Sequence, residues 1–321
     1  MPGISLAGRV DYEEERAVSK PAAGEIIKIM SLTLFTAQNE PMVATQSPTA
    51  TLPGAIWRAS GQPHFAALLA RFAPIGLTEM SRVALLDRTD TKFMLSEEQL
   101  YDALSVLVDE YRVLDIHSRR LNRYRTLYFD TDDYALFRQH HDGRRHRYKV
   151  RARNYVDSRL SFLEVKRKFK RNRTIKERMP TAALLTCLTP EANVFLGNAL
   201  PFAPTELEPM LWNEYTRITL VSKRDEERLT LDLNLRFACY QVGRAGGRSI
   251  ALPNVVIAEL KQNGHSRDSS FIRQMRERGI RPVKFSKYCA GMAMLCEGLR
   301  HNNFKPKLRL VDKVMRGECR E

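Results

Sequence analysis

Basic residues occupy every second position in two neighbouring segments of this sequence. Lys149, Arg151 and Arg153 alternate with small or branched apolar residues, and Lys166 and Lys168 are again two positions apart. Because successive residues of a β-strand point to opposite sides, this spacing places the charges of each segment on one face. Arginine binds phosphate oxygens through two parallel hydrogen bonds and lysine acts as a point charge. These faces therefore predict binding of a phosphorylated anion.

The positive charge of the chain is concentrated in one stretch. The 321 residues include 52 Lys and Arg against 37 Asp and Glu, which gives a net charge of +15. The span 138–178 carries sixteen basic and four acidic residues, and so accounts for +12 of that charge. Aromatic and β-branched residues recur through the span, which is atypical of a disordered basic tail. Folded strands that bind a polyanion are predicted, and nucleic acid on a basic surface is the simplest alternative.

Four carboxylates fall among the cations on predicted strand faces: Asp90, Glu164, Asp232 and Glu259. Their simplest role is charge balance. A second role is to ligate Mg²⁺ or Mn²⁺, which prefer carboxylate and phosphate oxygens. Glu259 is the strongest metal candidate, because it follows the apolar run 255–258 near the end of a predicted strand.

The elements that would position these residues follow an antiparallel, β-rich order with inserted helices, rather than alternating βαβ units. Strands are predicted at 83–95, 123–130, 145–155, 160–170, 213–222, 227–237 and 254–261, with 171–178 as a further candidate. Helices are predicted at 65–72, from a capping box at 96–99 to about 111, from 131 to 141, at 181–200 with a break near Pro190, and at 266–278 and 286–300.

The strand at 227–237 shows the alternation most regularly. Leucines at 229, 231, 233 and 235 oppose Arg228, Asp232 and Arg236, so these three polar residues are predicted to share one face. An open sheet would leave such faces on a wet surface. Closure of seven or eight antiparallel strands into a β-barrel, an α+β fold with helices packed around it, would instead line a positively charged lumen. The repetition of basic faces favours the barrel.

Composition excludes several classes of protein. Apolar residues make up 43% and charged residues 28% of the chain, as in a folded globular protein, and no stretch approaches ~18 consecutive apolar residues. The five scattered cysteines fit neither a disulfide framework nor a C-x-x-C zinc site, and Cys289 and Cys296 are predicted to pack in a core. Residues 1–60 are predicted to be a disordered extension without the layout of a signal peptide, and 301–321 a C-terminal tail. A cytoplasmic location is expected.

Two further motifs have plainer interpretations. The glycine-rich stretch 243–247 lacks the spacing of a P-loop and falls between predicted strands, so a hairpin tip is predicted. His140 and His141 have no spaced partner that would complete a metal site, so a solvated pair at a helix end is predicted. His146 is a candidate to face a phosphate.

Eight short motifs occur in the order seen in VTC domains, the polyphosphate polymerase domain named after the vacuolar transporter chaperone complex. They are Arg88–Phe93, Tyr124–Thr131, Lys149–Arg153, Phe162–Lys166, Tyr215–Arg217, Leu229–Asp232, Ile257–Lys261 and Phe285–Tyr288. Each motif alone is weak. Together the eight motifs occur in the family's order, on predicted strands that direct their polar residues to the expected face. Residues 64–300 therefore resemble this domain, which belongs to the triphosphate tunnel metalloenzyme superfamily.

The resemblance implies an eight-stranded antiparallel tunnel that transfers the γ-phosphate of ATP to a growing inorganic polyphosphate chain, with Mn²⁺ or Mg²⁺ as the cofactor. By position, it implies seven catalytic phosphate-binding residues: Lys92, Arg151, Arg153, Lys166, Arg217, Arg228 and Lys287. Lesser phosphate contacts are expected from Arg88, Lys149, Lys168, Lys176, Lys284 and Ser286. The metal is expected at Glu259, with Glu164 and Asp232 as further candidates.

One comparison separates this chain from the CYTH-type members of that superfamily, which are triphosphatases and class IV adenylate cyclases and open with E-x-E-x-K. Here Arg88 replaces the first carboxylate, while Asp90 and Lys92 follow at the expected spacing, which agrees with the VTC type. Two alternatives stay open: a hydrolase of tripolyphosphate or nucleoside triphosphates, and a non-catalytic polyphosphate- or RNA-binding module. ATP and polyphosphate are the expected partners, nucleic acid is not, and a separate membrane partner stays open.

Overall fold

A computed structural model describes residues 62–82, 88–169, 174–240, 247–264 and 268–318. The predicted extension 1–60, the first part of the predicted strand 83–95 and most of the glycine-rich stretch lie outside these residues. The strands are β1 (Ala73–Ile75), β2 (Arg88–Leu95), β3 (Tyr111–Leu114), β4 (Asn122–Asp130), β5 (Arg147–Tyr155), β6 (Leu160–Lys168), β7 (Thr174–Thr181), β8 (Glu208–Ser222), β9 (Glu227–Cys239), β10 (Ser249–Leu252) and β11 (Val256–Asn263). The α-helices are α1 (Gln62–Ala70), α2 (Leu77–Arg82), α3 (Glu97–Ser105), α4 (Ala135–His141), α5 (Pro190–Ala199), α6 (Ser270–Glu277), α7 (Lys287–Leu295) and α8 (Lys305–Met315).

Eight of the strands form one antiparallel sheet in the order β2-β11-β9-β8-β4-β5-β6-β7. Two short additions extend it: β3 pairs with β8 and with β1, and β10 pairs with β9. The sheet curls into a half-barrel, and no pairing joins its edge strands β2 and β7 in the described part of the chain. The predicted α+β fold with eight antiparallel strands and surrounding helices is confirmed.

Apolar side chains cover the convex face of this sheet. Helices α1, α3 and α6 pack on β2, β11, β9 and β8 through a cluster that contains Phe72, Leu104 and Phe271. Helix α5 covers β4, β5 and β6 through Leu196 and its neighbours. Because the alternate residues of each strand are committed to these clusters, the remaining residues must face the concave side.

Helix α7 covers one end of the concave face, together with α4 and α8. Tyr288 of α7 packs in one cluster with Ile257 of β11 and Leu211 of β8. The helix approaches the sheet so closely that a Cβ at Gly291 would lie 2.6 Å from the Cδ2 of Leu211. This packing fixes the start of α7, and with it Lys287, next to the polar part of the concave face.

Several elements lie where the sequence predicts them. The capping box opens α3, because Ser96 Oγ accepts from the N–H of Gln99 and Gln99 Oε1 accepts from that of Ser96, both at 3.0 Å. The candidate strand at 171–178 is present as β7, and the predicted C-terminal tail contains α8. Within the described residues, no helix has the length and apolar character needed to cross a membrane.

The helix predicted at 181–200 is shorter than expected. Helix α5 begins at Pro190, and Thr189 Oγ1 caps it by accepting from the N–H of Ala192. Proline lacks an N–H and has a fixed φ, so it fits the first turn of a helix. Pro190 therefore starts the helix, and the expectation of a break in its interior is wrong.

A β-bulge alters the facing predicted for the strand at 227–237. The register between β8 and β9 shifts by one residue there, and Asn234 adopts a left-handed φ of 54°. Beyond the bulge Leu235 packs on the concave side and Arg236 is exposed. The predicted common face of Asp232 and Arg236 is therefore wrong, because one extra residue inverts a period of two.

Candidate phosphate-binding site

The polar part of the concave face collects cations from six strands and one helix. They are Lys92 on β2, Lys261 on β11, Arg217 on β8, Lys149, Arg151 and Arg153 on β5, Lys166 on β6, Lys176 on β7 and Lys287 on α7. Strand register accounts for much of this convergence, since Lys149 lies opposite Lys166 and Lys166 lies opposite Lys176. The curl of the sheet brings the cations of the more distant strands towards the same face. Loss of surrounding water lowers the pKa of Lys166, and the charge of Lys92, near the other edge of the sheet, lowers it further.

Glu259 bridges two lysines on neighbouring strands. Its carboxylate oxygens lie 3.1 Å from Nζ of Lys92 and 2.8 Å from Nζ of Lys261. Burial favours the neutral carboxyl, but Lys261 and Lys92 hold the pKa of Glu259 well below its usual range. Asp90 adds a second carboxylate at 3.9 Å from Nζ of Lys261. Glu259 is therefore ionised and part of a charge network at this end of the site.

Asp232 orients the next pair of cations. Nε and Nη2 of Arg217 donate to its two carboxylate oxygens at 2.6 and 2.8 Å, and Nζ of Lys287 donates to the same carboxylate. Burial opposes the ionisation of Asp232, yet Arg217 and Lys287 lower its pKa to about 2. Burial lowers the pKa of Lys287 to about 8, against the opposing charge of Asp232.

Glu164 plays the same part on the other wall of the concavity. Its Oε2 accepts from Nε of Arg151 at 2.6 Å, and Oε1 forms an ion pair with Lys176. The side chain of Glu164 is only 2% exposed, whereas that of Arg151 is 23% exposed. Burial would raise the pKa of Glu164, but its cationic neighbours hold it below the usual range. Each of the three acids thus fixes two cations on the face that a ligand would approach.

Aromatic rings, rather than a carboxylate, hold Arg153. Its guanidinium carbon lies 5.6 Å from the ring centre of Tyr124 and 5.9 Å from those of Tyr155 and Tyr215. Its Nε donates to Oγ1 of Thr126 at 3.2 Å. Such cation–π contacts are favourable in a desolvated setting and restrict the side chain to one orientation. The sequence analysis missed these tyrosines, since aromatic residues are common in any strand.

Lys149 and Lys166 lie on the same concave face as the cations described above. Within the described part of the chain, neither forms an ion pair with a carboxylate. Burial lowers the pKa of Lys149 to about 8, and Lys166, Lys92 and Arg151 contribute in the same direction. Cations that crowd together without acids form a site of positive potential suited to a polyanion.

The remaining predicted contacts are positioned as follows. Arg228 lies opposite Lys261 in the sheet, and Arg88 is the first residue of β2. Lys168 is half-buried opposite Arg147 on β5. Lys284 is exposed in the segment before α7. Ser286 caps α7, accepting from the N–H of Cys289 at 3.4 Å. Lys261 is the cation that the sequence analysis left out, although its spacing from Glu259 carried the signal.

The protein offers few ligands to a divalent ion. No group of three His, Cys, Asp or Glu side chains that could hold a metal occurs among the residues that the structure describes. Glu259 lies on the polar concave face but is paired with Lys92 and Lys261. Mg²⁺ is commonly bound through one or two carboxylates plus substrate phosphates. The arrangement fits an ion brought with a phosphorylated substrate, not one held by the protein alone.

The histidine pair differs from its prediction. His141 is 6% exposed, and its ring packs against Phe137 and Phe304. His140 is half-buried, with Nε2 3.2 Å from the carbonyl oxygen of Tyr148. The predicted solvated pair is therefore wrong, because the end of α4 is covered by neighbouring elements. His146 is exposed and contacts the ring of Phe169.

Comparison with known proteins identifies one family. The model of the VTC domain matches residues 87–296. No curated protein matches the chain. Among solved structures, a "putative adenylate cyclase" from Bacillus halodurans is 15% identical, with 62% of this chain and 94% of that chain covered and a TM-score of 0.39. One from Vibrio parahaemolyticus is 14% identical, with the same coverage and a TM-score of 0.34. A "putative adenylyl cyclase" from Hippeastrum, described as having a dominant triphosphatase activity, is 14% identical. The match covers 68% of this chain and 100% of that chain, with a TM-score of 0.39.

Proposed function

This chain belongs to the VTC domain family, and from that premise we propose that it is a polyphosphate polymerase, which transfers the γ-phosphate of ATP to a growing chain of inorganic polyphosphate. The observation that carries the proposal is the convergence of cations on one concave face, with three carboxylates, two of them buried, that orient them. A polyanion bound along this concave face would contact positive charges from strands on both sides of the curl.

Phosphoryl transfer requires positioning more than covalent chemistry from the protein. Its transition state spreads negative charge over the equatorial oxygens, and fixed cations stabilise that charge. We assign this role to Arg151, Arg153 and Arg217, whose guanidinium groups are already oriented by Glu164, by the tyrosine rings and by Asp232. Oriented groups need little reorganisation at the moment of reaction.

The lysines are assigned to hold the donor and the acceptor in line. Lys92, Lys149, Lys166 and Lys287 come from four different elements, so together they can contact successive phosphates. We assign weaker contacts to Arg88, Lys168, Lys176, Lys284 and Ser286. Arg228 joins the catalytic phosphate-binding residues, next to Lys261 at the β9–β11 end. Each is a proposal from position and charge.

The metal ion is assigned to Glu259, with the phosphates of the substrate as its other ligands. When bound, a divalent ion would supply Lewis-acid chemistry and neutralise part of the phosphate charge. Lys92 and Lys261 would then release the carboxylate and turn to the phosphates. Mn²⁺ and Mg²⁺ both suit such oxygen ligands. Glu164 and Asp232 are weaker candidates, because their side chains are 2% and 3% exposed, against 18% for that of Glu259. We place the activity in the cytoplasm, where ATP is supplied.

The direct test incubates the purified full chain with ATP and Mn²⁺ and separates the products on a gel stained with a cationic dye. Long polyphosphate is expected. Release of orthophosphate alone would identify a hydrolase instead, and binding of polyphosphate without turnover would identify a non-catalytic module. Glu259→Ala and Arg151→Ala are each expected to abolish synthesis, and full activity in both would overturn the assignment of the site.

Two adjacent residues of β6 provide a matched pair of variants. Lys166 faces the concave side, whereas Arg167 faces outwards and pairs with Glu177. Lys166→Ala should reduce synthesis about 100-fold, the usual effect of removing one group that stabilises transition-state charge. Arg167→Ala should leave it within about twofold. Equal losses in the two variants would mean that the overall charge of β6, and not its concave face, matters.

A further inference from the structure

Two cysteines from distant parts of the chain meet at one end of the sheet. Cys239 is the last residue of β9, and Cys296 follows the last residue of α7 as its C-cap. Their thiols are hydrogen-bonding neighbours, and both side chains are half-buried, so small molecules can reach them. As the sequence analysis predicted, Cys289 and Cys296 both pack in the apolar cluster, but Cys289 is 1% exposed whereas Cys296 is half-buried.

Backbone contacts hold the two cysteines together independently of their thiols. The N–H of Cys239 donates to the carbonyl oxygen of Arg248 at 2.9 Å. The guanidinium of that arginine crosses to α7, where Nη1 donates to the carbonyl oxygen of Leu295 at 3.1 Å and Nη2 pairs with Glu297. Arg248 therefore ties the end of β9 to both neighbours of Cys296 in the chain.

On the helix side, Cys296 is fixed by α7 itself. Its N–H donates to the carbonyl oxygen of Met292 at 2.9 Å, and its Sγ lies 3.8 Å from Sδ of the same methionine. Cys239 and Cys296 also pack against the same apolar cluster, which includes Phe237 and Leu295. The contact between the thiols thus follows from the packing of α7 on β9.

We propose that Cys239 and Cys296 form a redox modification site, at which a low-molecular-weight disulfide oxidises the two thiols to a reversible intramolecular disulfide. The site lies away from the cations of the concave face and is independent of the proposed polymerase activity. Neighbouring thiols on packed elements can be joined without a large movement of the backbone, which a disulfide between separated cysteines would require.

Hydrogen bonding between the two thiols favours a single thiolate in the pair, and we assign it to Cys239. The hydrogen bond from Cys296, assisted by the charge of Arg248 and opposed by burial, lowers the pKa of Cys239 below its usual range. The same pairing raises the pKa of Cys296. Because the thiolate is the nucleophile in disulfide exchange, Cys239 reacts first and Cys296 resolves the intermediate.

The exchange balances in two steps. The Cys239 thiolate attacks one sulfur of the small disulfide RSSR, breaks its S–S bond and releases RS⁻, which takes up a proton. Cys296 then loses its proton to solvent and attacks the Cys239 sulfur, forming the protein disulfide and releasing the second RS⁻. Two protein thiols are oxidised by two electrons, and RSSR is reduced to two RSH.

The new bond would close a loop that contains β10, β11 and α6. A crosslink stabilises a fold mainly by restricting the unfolded chain. The oxidised protein should therefore show a higher midpoint of thermal unfolding than the reduced protein. Added dithiol should reverse the shift.

The test uses the full chain with Cys187 and Cys319 replaced by serine, which removes the exposed cysteine Cys187 and the one outside the described residues. The protein is incubated with oxidised glutathione, alkylated and digested without reduction, and its peptides are identified by mass spectrometry. A Cys239–Cys296 linked pair is expected, while Cys289 is alkylated only after unfolding. Cys296→Ser should stop the reaction at a glutathione adduct on Cys239. Cys239→Ser should leave Cys296 to form at most a glutathione adduct, without a crosslink.

Two results would overturn the proposal. One is a chain in which Cys239 and Cys296 stay alkylatable after oxidation, or carry separate glutathione adducts without a crosslink. The other is a crosslink that joins either residue to Cys289 in preference. Both measurements use the chain in which only Cys187 and Cys319 are replaced, so neither depends on whether Cys239→Ser or Cys296→Ser folds.

Discussion

Three carboxylates of the concave face each hold two cations before any phosphate arrives. Arginine and lysine lose up to ~2 kcal/mol of side-chain entropy each when they are ordered. In this chain Glu164, Asp232 and Glu259 impose that order during folding. A ligand therefore meets groups whose positions are already set, which is the general advantage of preorganisation in binding.

Replacing Glu164 by glutamine should destabilise the fold. The amide keeps the shape but leaves Arg151 and Lys176 without a counter-charge. We expect the free energy of unfolding to fall by about 2 kcal/mol, below the ~3–5 kcal/mol of fully buried pairs because both cations are partly exposed. Urea denaturation at pH 7 measures the loss. Glu177→Gln, which removes an outward-facing partner of Arg167, is the matched control and should cost under about 1 kcal/mol.

The pH dependence of that difference follows from the direction of the shift. The folded-state pKa of Glu164 is depressed, so its stabilising effect is fully present above the unfolded value of 4.5. It is lost as the pH falls through the folded pKa, and the gap between the wild type and Glu164→Gln should narrow in acid. A gap that stays constant down to the acid limit would show that packing, not charge, causes the loss.

The affinity for tripolyphosphate should weaken in mild alkali. Lys149, Lys176, Lys261 and Lys287 have pKa values of about 8 in the free chain, so they lose their charge as the pH rises above that value. Binding must then return protons to them. Each proton taken up weakens Kd by about tenfold per pH unit. Calorimetric titrations between pH 8.5 and 9.5 measure the slope.

Lys149→Arg tests how much Lys149 contributes to the dependence of the tripolyphosphate Kd on pH. A guanidinium stays charged in this range, so the slope should decrease by up to about one log unit per pH unit. Lys223→Arg, at an exposed turn between β8 and β9, should leave it unchanged. If both variants behave like the wild type, the lysines of the concave face do not set the pH dependence.

At the scale of elements, alternation predicts facing wherever a strand is regular. Lys149, Arg151 and Arg153 face the concave side as predicted, because β5 pairs in continuous register with both neighbours. The same rule fails in β9, where the bulge at Asn234 inverts it. The rings around Arg153 come from β4, β5 and β8, and their contact depends on the order of strands in the sheet, which composition and spacing leave open.

The placement of α7 depends on the absence of a side chain at Gly291. A Cβ there would lie 2.6 Å from Cδ2 of Leu211 and 2.7 Å from Cδ1 of Phe237. Gly291→Ala should therefore force the helix away from the sheet and lower the free energy of unfolding by about 1–3 kcal/mol, even though alanine favours helices. Because Lys287 starts this helix, synthesis of polyphosphate should also decrease.

Gly197 in α5 provides the control for this variant. Its nearest neighbour to an added Cβ is Cγ of Pro204 at 4.0 Å, so alanine fits without displacement. Gly197→Ala should be neutral or stabilise by up to ~1 kcal/mol through helix propensity. Thermal unfolding of both variants separates the two effects. A stabilised Gly291→Ala would mean that α7 does not lie as close to β8 and β9 as described.

At the scale of the whole molecule, much of the positive charge is directed towards one concavity. Two cations ~6 Å apart repel each other by roughly 3 kcal/mol at an effective dielectric constant of ~20. Lys149 and Lys166, opposite each other on β5 and β6, form no ion pair with a carboxylate within the described residues. The free protein therefore keeps unbalanced charge that a polyanion would neutralise.

A linear polyanion should consequently stabilise the whole fold more than a small anion does. Tripolyphosphate at about 100 times its Kd contributes about 2.7 kcal/mol, which corresponds to a rise of roughly 4–5 °C in Tm for a chain of this size. Orthophosphate at the same concentration should raise Tm much less, because it spans fewer cations. Lys166→Ala should reduce the shift caused by tripolyphosphate, and Arg167→Ala should preserve it, since only the first residue faces the concavity. Differential scanning fluorimetry measures all four cases. Equal shifts from both anions, or equal losses in both variants, would indicate general binding to a basic surface and not a site built along the curl of the sheet.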